Sequence, residues 1–173
     1  MPIFDELAKP RDLWPANAPW PLRRAELLLD FFRVGFPKIH YDHLWEPPVV
    51  NAQAFHGTQG PTVRLYGGLG RHRLAGIEAL ALALAHETGH HLGGPPSHPL
   101  YKSISSEEQA DSWAMKVGLP QLFGAQRAER FVEIGQRQLS RIVSSWMGPV
   151  SYGMLSACFP YVRDSSQVVE EQQ

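Results

Sequence analysis

The chain has 173 residues, 43% of them hydrophobic and 10% aromatic, with 16 basic against 17 acidic side chains. That length suits one domain with a core of its own, and the balanced charge argues against nucleic acid or an anionic membrane surface as a partner. The single cysteine, Cys158, excludes an internal disulfide framework and a cysteine-ligated metal, and no segment reaches the apolar length of a transmembrane span. Cys158 reads as a small buried residue. Met1 to Pro10 carries acidic residues and no apolar stretch of the signal-peptide kind, so the expected location is cytoplasmic.

Residues 1–20 form a Pro/Trp-rich arm, with Pro10, Pro15 and Pro19 interspersed with Trp14 and Trp20. Such an arm is a candidate cover for a cleft. Pro21 opens a helix through about Val34, with Leu22, Ala25, Leu28, Leu29 and Phe32 on its apolar face, and Gly35 and Pro37 end it. Residues 38–60 read as loop, given Pro47-Pro48 and Gly57. Val63-Arg64-Leu65-Tyr66 alternates as a short strand, and Gly67-Gly68-Leu69-Gly70 turns the chain into a helix that begins near Arg73. Gly93-Gly94-Pro95-Pro96 stops that helix.

After a loop through His98 and Tyr101, Ser105 and Glu108 have the spacing of a capping box, so a further helix starts there; Gly118 and Pro120 end it. Residues 121–147 are mostly helical up to Gly148-Pro149, and residues 164–173 read as a disordered polar tail. No repeat divides the chain. The expectation is one α+β domain over residues 1–173, mostly helical, with a small sheet.

The helix that begins near Arg73 carries the chemistry. Ala79 to Ala85 is almost wholly apolar, so this helix belongs in the core, and it runs into His86-Glu87-Thr88-Gly89-His90. This is an H-E-x-x-H run. Residues four apart share a helix face, so His86 and His90 can hold one metal ion while Glu87 reaches a water on it. The same pattern also arises by chance on solvated helices. Here, however, two imidazoles and a carboxylate stand at the end of a buried helix and need partners, which a metal supplies.

Catalytic zinc takes three protein ligands and a water. One source of the third ligand is a histidine just downstream, but Pro96 occupies the position that an H-E-x-x-H-x-x-G-x-x-H pattern requires, and His98 falls two residues late. The other source is the next helix. Glu107 and Asp111 lie four apart on one face, so Glu107 can ligate while Asp111 accepts a hydrogen bond from a ligand histidine and fixes its tautomer. First-turn acids also simply complement a helix dipole, and Glu108 fits that description. His91 points about 100° away from His90 and is not counted as a ligand.

Glu107-Glu108-Gln109-Ala110-Asp111-Ser112-Trp113-Ala114 resembles the E-x-x-A-D-x-aromatic-A segment of gluzincin zinc metallopeptidases of the HtpX type. Asn51-Ala52, the strand-to-turn stretch Val63–Leu69 and Ala85-His86-Glu87-Thr88-Gly89-His90 resemble that family too, so the likeness covers roughly residues 50–115. Members of that family are membrane-embedded, whereas this sequence looks more like their compact relatives, the minigluzincins; the helix bearing Glu107 is also similar to that of ImmA/IrrE-type regulatory peptidases. The resemblance implies a zincin-like fold and a Zn2+ site of His86, His90 and Glu107. It also implies that Val63, Arg64, Leu65 and Tyr66 border the cleft and pair with an extended peptide or protein substrate. An exposed strand edge offers free N–H and C=O groups suited to that role.

The expected activity is endopeptidase: a metal-activated water attacks the peptide carbonyl, and Glu87 serves as the general base. His98, Tyr101, Arg137, Arg141, Tyr152 and Tyr161 have the chemistry to steady the oxyanion. The alternative is a zinc-binding regulatory or interaction module without turnover, which would have no use for Glu87.

Overall fold

The structure, a computed structural model, describes residues 7–147. Cys158, Tyr152, Tyr161, Gly148-Pro149 and the 164–173 tail lie outside the described residues, as does the side chain of Trp146. Helix α1 spans Pro19–Gly35 and starts on two prolines, which lack the N–H that a first turn leaves unpaired anyway. Pro21, Ala25, Leu28, Leu29 and Phe32 recur at helical spacing and are all buried. Each large apolar side chain so buried contributes about 1.5–3 kcal/mol.

Three strands follow, β1 (His40–Leu44), β2 (Ala52–Gly57) and β3 (Gly60–Tyr66). Two of them lie in the stretch expected to be loop. Their order in the sheet is β1-β3-β2, with β1 parallel and β2 antiparallel to β3. β2 and β3 form a hairpin over Thr58-Gln59, with Gly60 at φ 96°. The prolines at 47, 48 and 61 sit between strands or at a strand start, where they cost no ladder bond.

Gly67–Gly70 coils into a short buried helix, α2. A Cβ on Gly67 would stand 1.7 Å from the carbonyl oxygen of Trp45, so only glycine permits this approach. Helix α3, Ile77–Leu92, is buried without a break from Ala79 to His90 and packs against α1, the sheet and the helices that follow it in the chain. It begins four residues later than expected. The carbonyls of Gly70 and Ala75 are held by the Arg24 guanidinium, which keeps 71–76 in a loop. The first turn is then capped from a distance: Gln138 Oε1 accepts from the N–H groups of Gly76 and Ala79.

Helix α4 spans Glu107–Trp113, and its cap is Ser106, whose hydroxyl accepts from Gln109 N. The expected box of Ser105 and Glu108 is therefore not formed; Glu108 is exposed and Ser105 is bonded to α3. Gly118 and Pro120 also do not end the helical path. A π turn over Ala114–Gly118 leads directly into α5 (Leu119–Phe123), where Pro120 occupies a first-turn position. The break comes at Gly124, at φ 80°, before α6 (Ala125–Met147). Leu139 and Ile142 of α6 close the core, and α6 packs on α3. The architecture is α+β, mostly helical with a small mixed sheet. Among the described residues no helix is long and apolar enough to cross a membrane.

The described part of the arm is stapled to the connection between β1 and β2 and to the segment that follows α2. Ala8 N bonds Pro48 O, Trp14 N bonds Arg71 O, and Arg73 N bonds Asp12 O, while the Arg73 guanidinium lies 4.0 Å over the Trp14 ring. These bonds tie residues 8–14 to 48 and 71–73, not to the H-E-x-x-H turn.

Candidate metal centre

The last turns of α3 place His86 and His90 on one face, with ring centroids 4.7 Å apart. Helix α4 lies alongside and brings Glu107 to both: its Oε2 is 3.2 Å from His86 Nε2 and 3.5 Å from His90 Nε2. One ligand atom from each residue falls within 4.8 Å of the others. Tetrahedral zinc, with bonds of about 2.0–2.1 Å, sets its ligand atoms about 3.3 Å apart. The two nitrogen–oxygen distances lie on either side of that value, so this donor set fits zinc, and two imidazoles with one carboxylate suit its chemistry.

The far nitrogen of each ring is already committed. His86 Nδ1 is 2.7 Å from Asp111 Oδ1, and His90 Nδ1 is 2.9 Å from the carbonyl oxygen of Ser105. A carbonyl only accepts, so the His90 proton sits on Nδ1 and the lone pair on Nε2. That Nε2 is buried and has no hydrogen-bond partner. An imidazole aimed in this way is prepared for a metal.

Glu87 sits beside the cluster, fully buried. Its Oε2 accepts a 2.6 Å hydrogen bond from Ala54 N–H of β2, and its Oε1 is buried without a partner. The electrostatics follow from burial and from the close approach of rings and carboxylates. Burial disfavours the His86 cation, yet the Asp111 and Glu107 carboxylates outweigh it and push the ring up to about 10. Burial likewise works against ionised Glu107, but His86 and His90 prevail and hold its carboxyl well below the usual carboxylate range. For Glu87 burial wins over His86, His90 and the Ala54 N–H, and the carboxyl is raised.

The structure thus brings together His86, Glu87, His90, Glu107 and Asp111. It does not bear out the strand edge. Val63, Arg64, Leu65 and Tyr66 belong to β3, which has a neighbour on each side, so its backbone groups are spent in the sheet. Val63 and Leu65 are core residues, Arg64 forms a paired hydrogen bond with Asp42, and Tyr66 donates to Gln53. The open edge nearest α3 is β2. The bond from Tyr66 N to Asn51 O sets the ladder phase, so Asn51, Gln53 and Phe55 face β3 while Ala54 and His56 turn their backbone groups outward. Sequence reasoning missed this strand, although Ala52 and Ala54 alternate with Gln53 and Phe55 ahead of a glycine-flanked hairpin.

A cleft of about 210 Å³ lies between that edge and the loop carrying Tyr101 and Ile104, with Ala54 and His56 in its wall. Larger hollows of about 420 and 510 Å³ lie elsewhere, against α6 at Val132 and under the arm at Leu13, away from the titratable cluster. His98 Nε2 is 3.6 Å from Glu107 Oε1. His91 turns to the sheet and bonds the Thr62 carbonyl. Arg137 pairs with Glu133 on α6, whose neighbouring Gln138 caps the other end of α3. No protein-family model matches the chain, and neither does any curated protein or solved structure.

Proposed function

We propose that the chain is a zinc-dependent endopeptidase. The observation that carries this reading is the pairing of a three-residue donor set with a buried glutamate beside it, one of whose oxygens has no partner. A site built only to hold a metal gains nothing from burying Glu87, and desolvating a carboxylate is costly. Zinc in such a site supplies Lewis acidity, acidifying water and polarising a carbonyl.

The residues divide the remaining work. His86, His90 and Glu107 would hold the ion, with Asp111 and the Ser105 carbonyl keeping the two rings in the right tautomer. Ala54 N–H fixes Glu87 Oε2, leaving Oε1 as the base. Oε1 takes a proton from water as the water oxygen bonds to the scissile carbonyl carbon; when the C–N bond breaks, the same proton goes to the leaving amine. An extended substrate would lie along the Ala54 carbonyl and the outward backbone groups of His56 on β2, with a side chain in the adjoining cleft.

The test is metal analysis of the purified chain together with cleavage of an unstructured protein, with and without chelator, for wild type and Glu87→Gln. The reading expects bound zinc in both, cleavage abolished by chelation, and a drop of about 10²–10⁴ in rate for the variant. Zinc bound with no cleavage by wild type would instead favour a regulatory or interaction module. A chain that takes up no divalent metal would sink both.

A further inference from the structure

We propose that His98 is a positioning residue for Glu107: it takes one carboxylate oxygen so that only the other is presented to the metal. The inference rests on the zinc reading above and concerns a residue outside the H-E-x-x-H turn and the α4 helix.

The ring is fixed by its loop. His98 N bonds Ile104 O, Ser105 N bonds His90 O, and Ser106 N bonds Pro96 O, which ties the segment from 96 to 106 against the end of α3. His98 is 5% exposed. Its Nδ1 accepts from the backbone N–H groups of Leu100 and Tyr101, both at 3.2 Å. A nitrogen that accepts carries no proton, so the proton of the neutral ring is on Nε2. This Nε2 lies 3.6 Å from Glu107 Oε1, just beyond hydrogen-bond length, while Oε2 is 3.2 Å from His86 Nε2 and 3.5 Å from His90 Nε2.

Two consequences follow. The carboxylate is divided, one oxygen for the ion and one for His98, which favours a single Glu107–metal bond. His98 itself is kept from ligating. To do so through Nε2 it would need its proton on Nδ1, where two backbone N–H groups already point. The site then has three protein ligands, and the fourth position stays open.

The experiment uses the full chain as wild type, His98→Ala and His98→Gln, each loaded with Co²⁺ and titrated with a competing chelator while the visible spectrum is recorded. His98→Ala should bind Co²⁺ about 10–100-fold more weakly, with a weaker visible band as the freed carboxylate turns bidentate and the coordination number rises. His98→Gln keeps an N–H donor and should restore most of both. Affinity within about twofold of wild type and an unchanged spectrum for His98→Ala would overturn the proposal, as would X-ray absorption that counts three imidazoles on the metal. If His98→Ala fails to fold, His98→Leu, which keeps bulk but has no donor, takes its place: weaker Co²⁺ binding that His98→Gln restores supports the proposal, and affinity and spectrum like wild type overturn it. Wild type that binds no Co²⁺ would remove the metal reading as well, a result distinct from wild type that binds while the variants do not differ.

Discussion

Gly89 of α3 and Ala110 of α4 approach so closely that a Cβ on Gly89 would stand 2.5 Å from the Ala110 carbonyl oxygen and 2.8 Å from its Cα. Backbone cannot give way as a flexible side chain can. This contact sets the spacing between the helix that carries both histidines and the helix that carries Glu107. Gly89→Ala should therefore push α4 away, costing about 1–3 kcal/mol, although the same change at an unobstructed helical site stabilises. Thermal unfolding of the metal-free chain and a zinc titration check it: both stability and affinity should fall.

Asp111 acts through His86. Its carboxylate lies 2.7 Å from Nδ1 and helps hold the ring's tautomer and charge. Asp111→Asn retains an acceptor of the same shape but not the charge, so zinc affinity should drop about 10-fold or more with the fold intact. Chelator competition and far-ultraviolet circular dichroism separate the two effects.

Acidity should move metal-free stability and metal affinity in opposite directions above neutrality. With His86 raised from its ordinary 6.5 to about 10, the fold gains from the protonated ring at and below pH 6.5, and that gain is lost as pH rises toward 10. Zinc must displace the same proton, so its affinity should rise over this window, by up to about tenfold per pH unit for one proton released. Glu107, held below its ordinary 4.5, contributes stability above that value, and the contribution fades on acidification. Denaturant midpoints of the chelated chain and zinc titrations across neutral to mildly alkaline pH test this; a flat affinity profile would count against it.

Tyr41 of β1 offers a control outside the cluster. Its hydroxyl lies 2.8 Å from Thr88 Oγ1, and Thr88 itself donates to the Leu84 carbonyl, so the Tyr41 hydroxyl is the donor between them. Tyr41→Phe should cost about 1 kcal/mol with zinc affinity unchanged. Unfolding and metal titration of the one variant would show stability and metal binding moving separately.

Much of the centre was legible because helix periodicity is local. An apolar run ending in His86-Glu87-Thr88-Gly89-His90 places both rings on one face without reference to anything else in the chain, and Glu107 with Asp111 follows from the same spacing. What those faces meet is not local. That β3 is the central strand and β2 the edge depends on which strands pair, and pairing is settled by burial across the whole sheet. The start of α3 depends on Arg24 and on a cap from Gln138, 62 residues from Gly76. The Ser105 carbonyl behind His90, the Ala54 N–H on Glu87 and the lock on His98 are backbone groups, which every residue carries and no side-chain pattern marks. The amino-acid sequence by itself determined which side chains could gather round a metal; only the tertiary structure decided which atoms hold them there, because those bonds join segments that only the completed packing brings together.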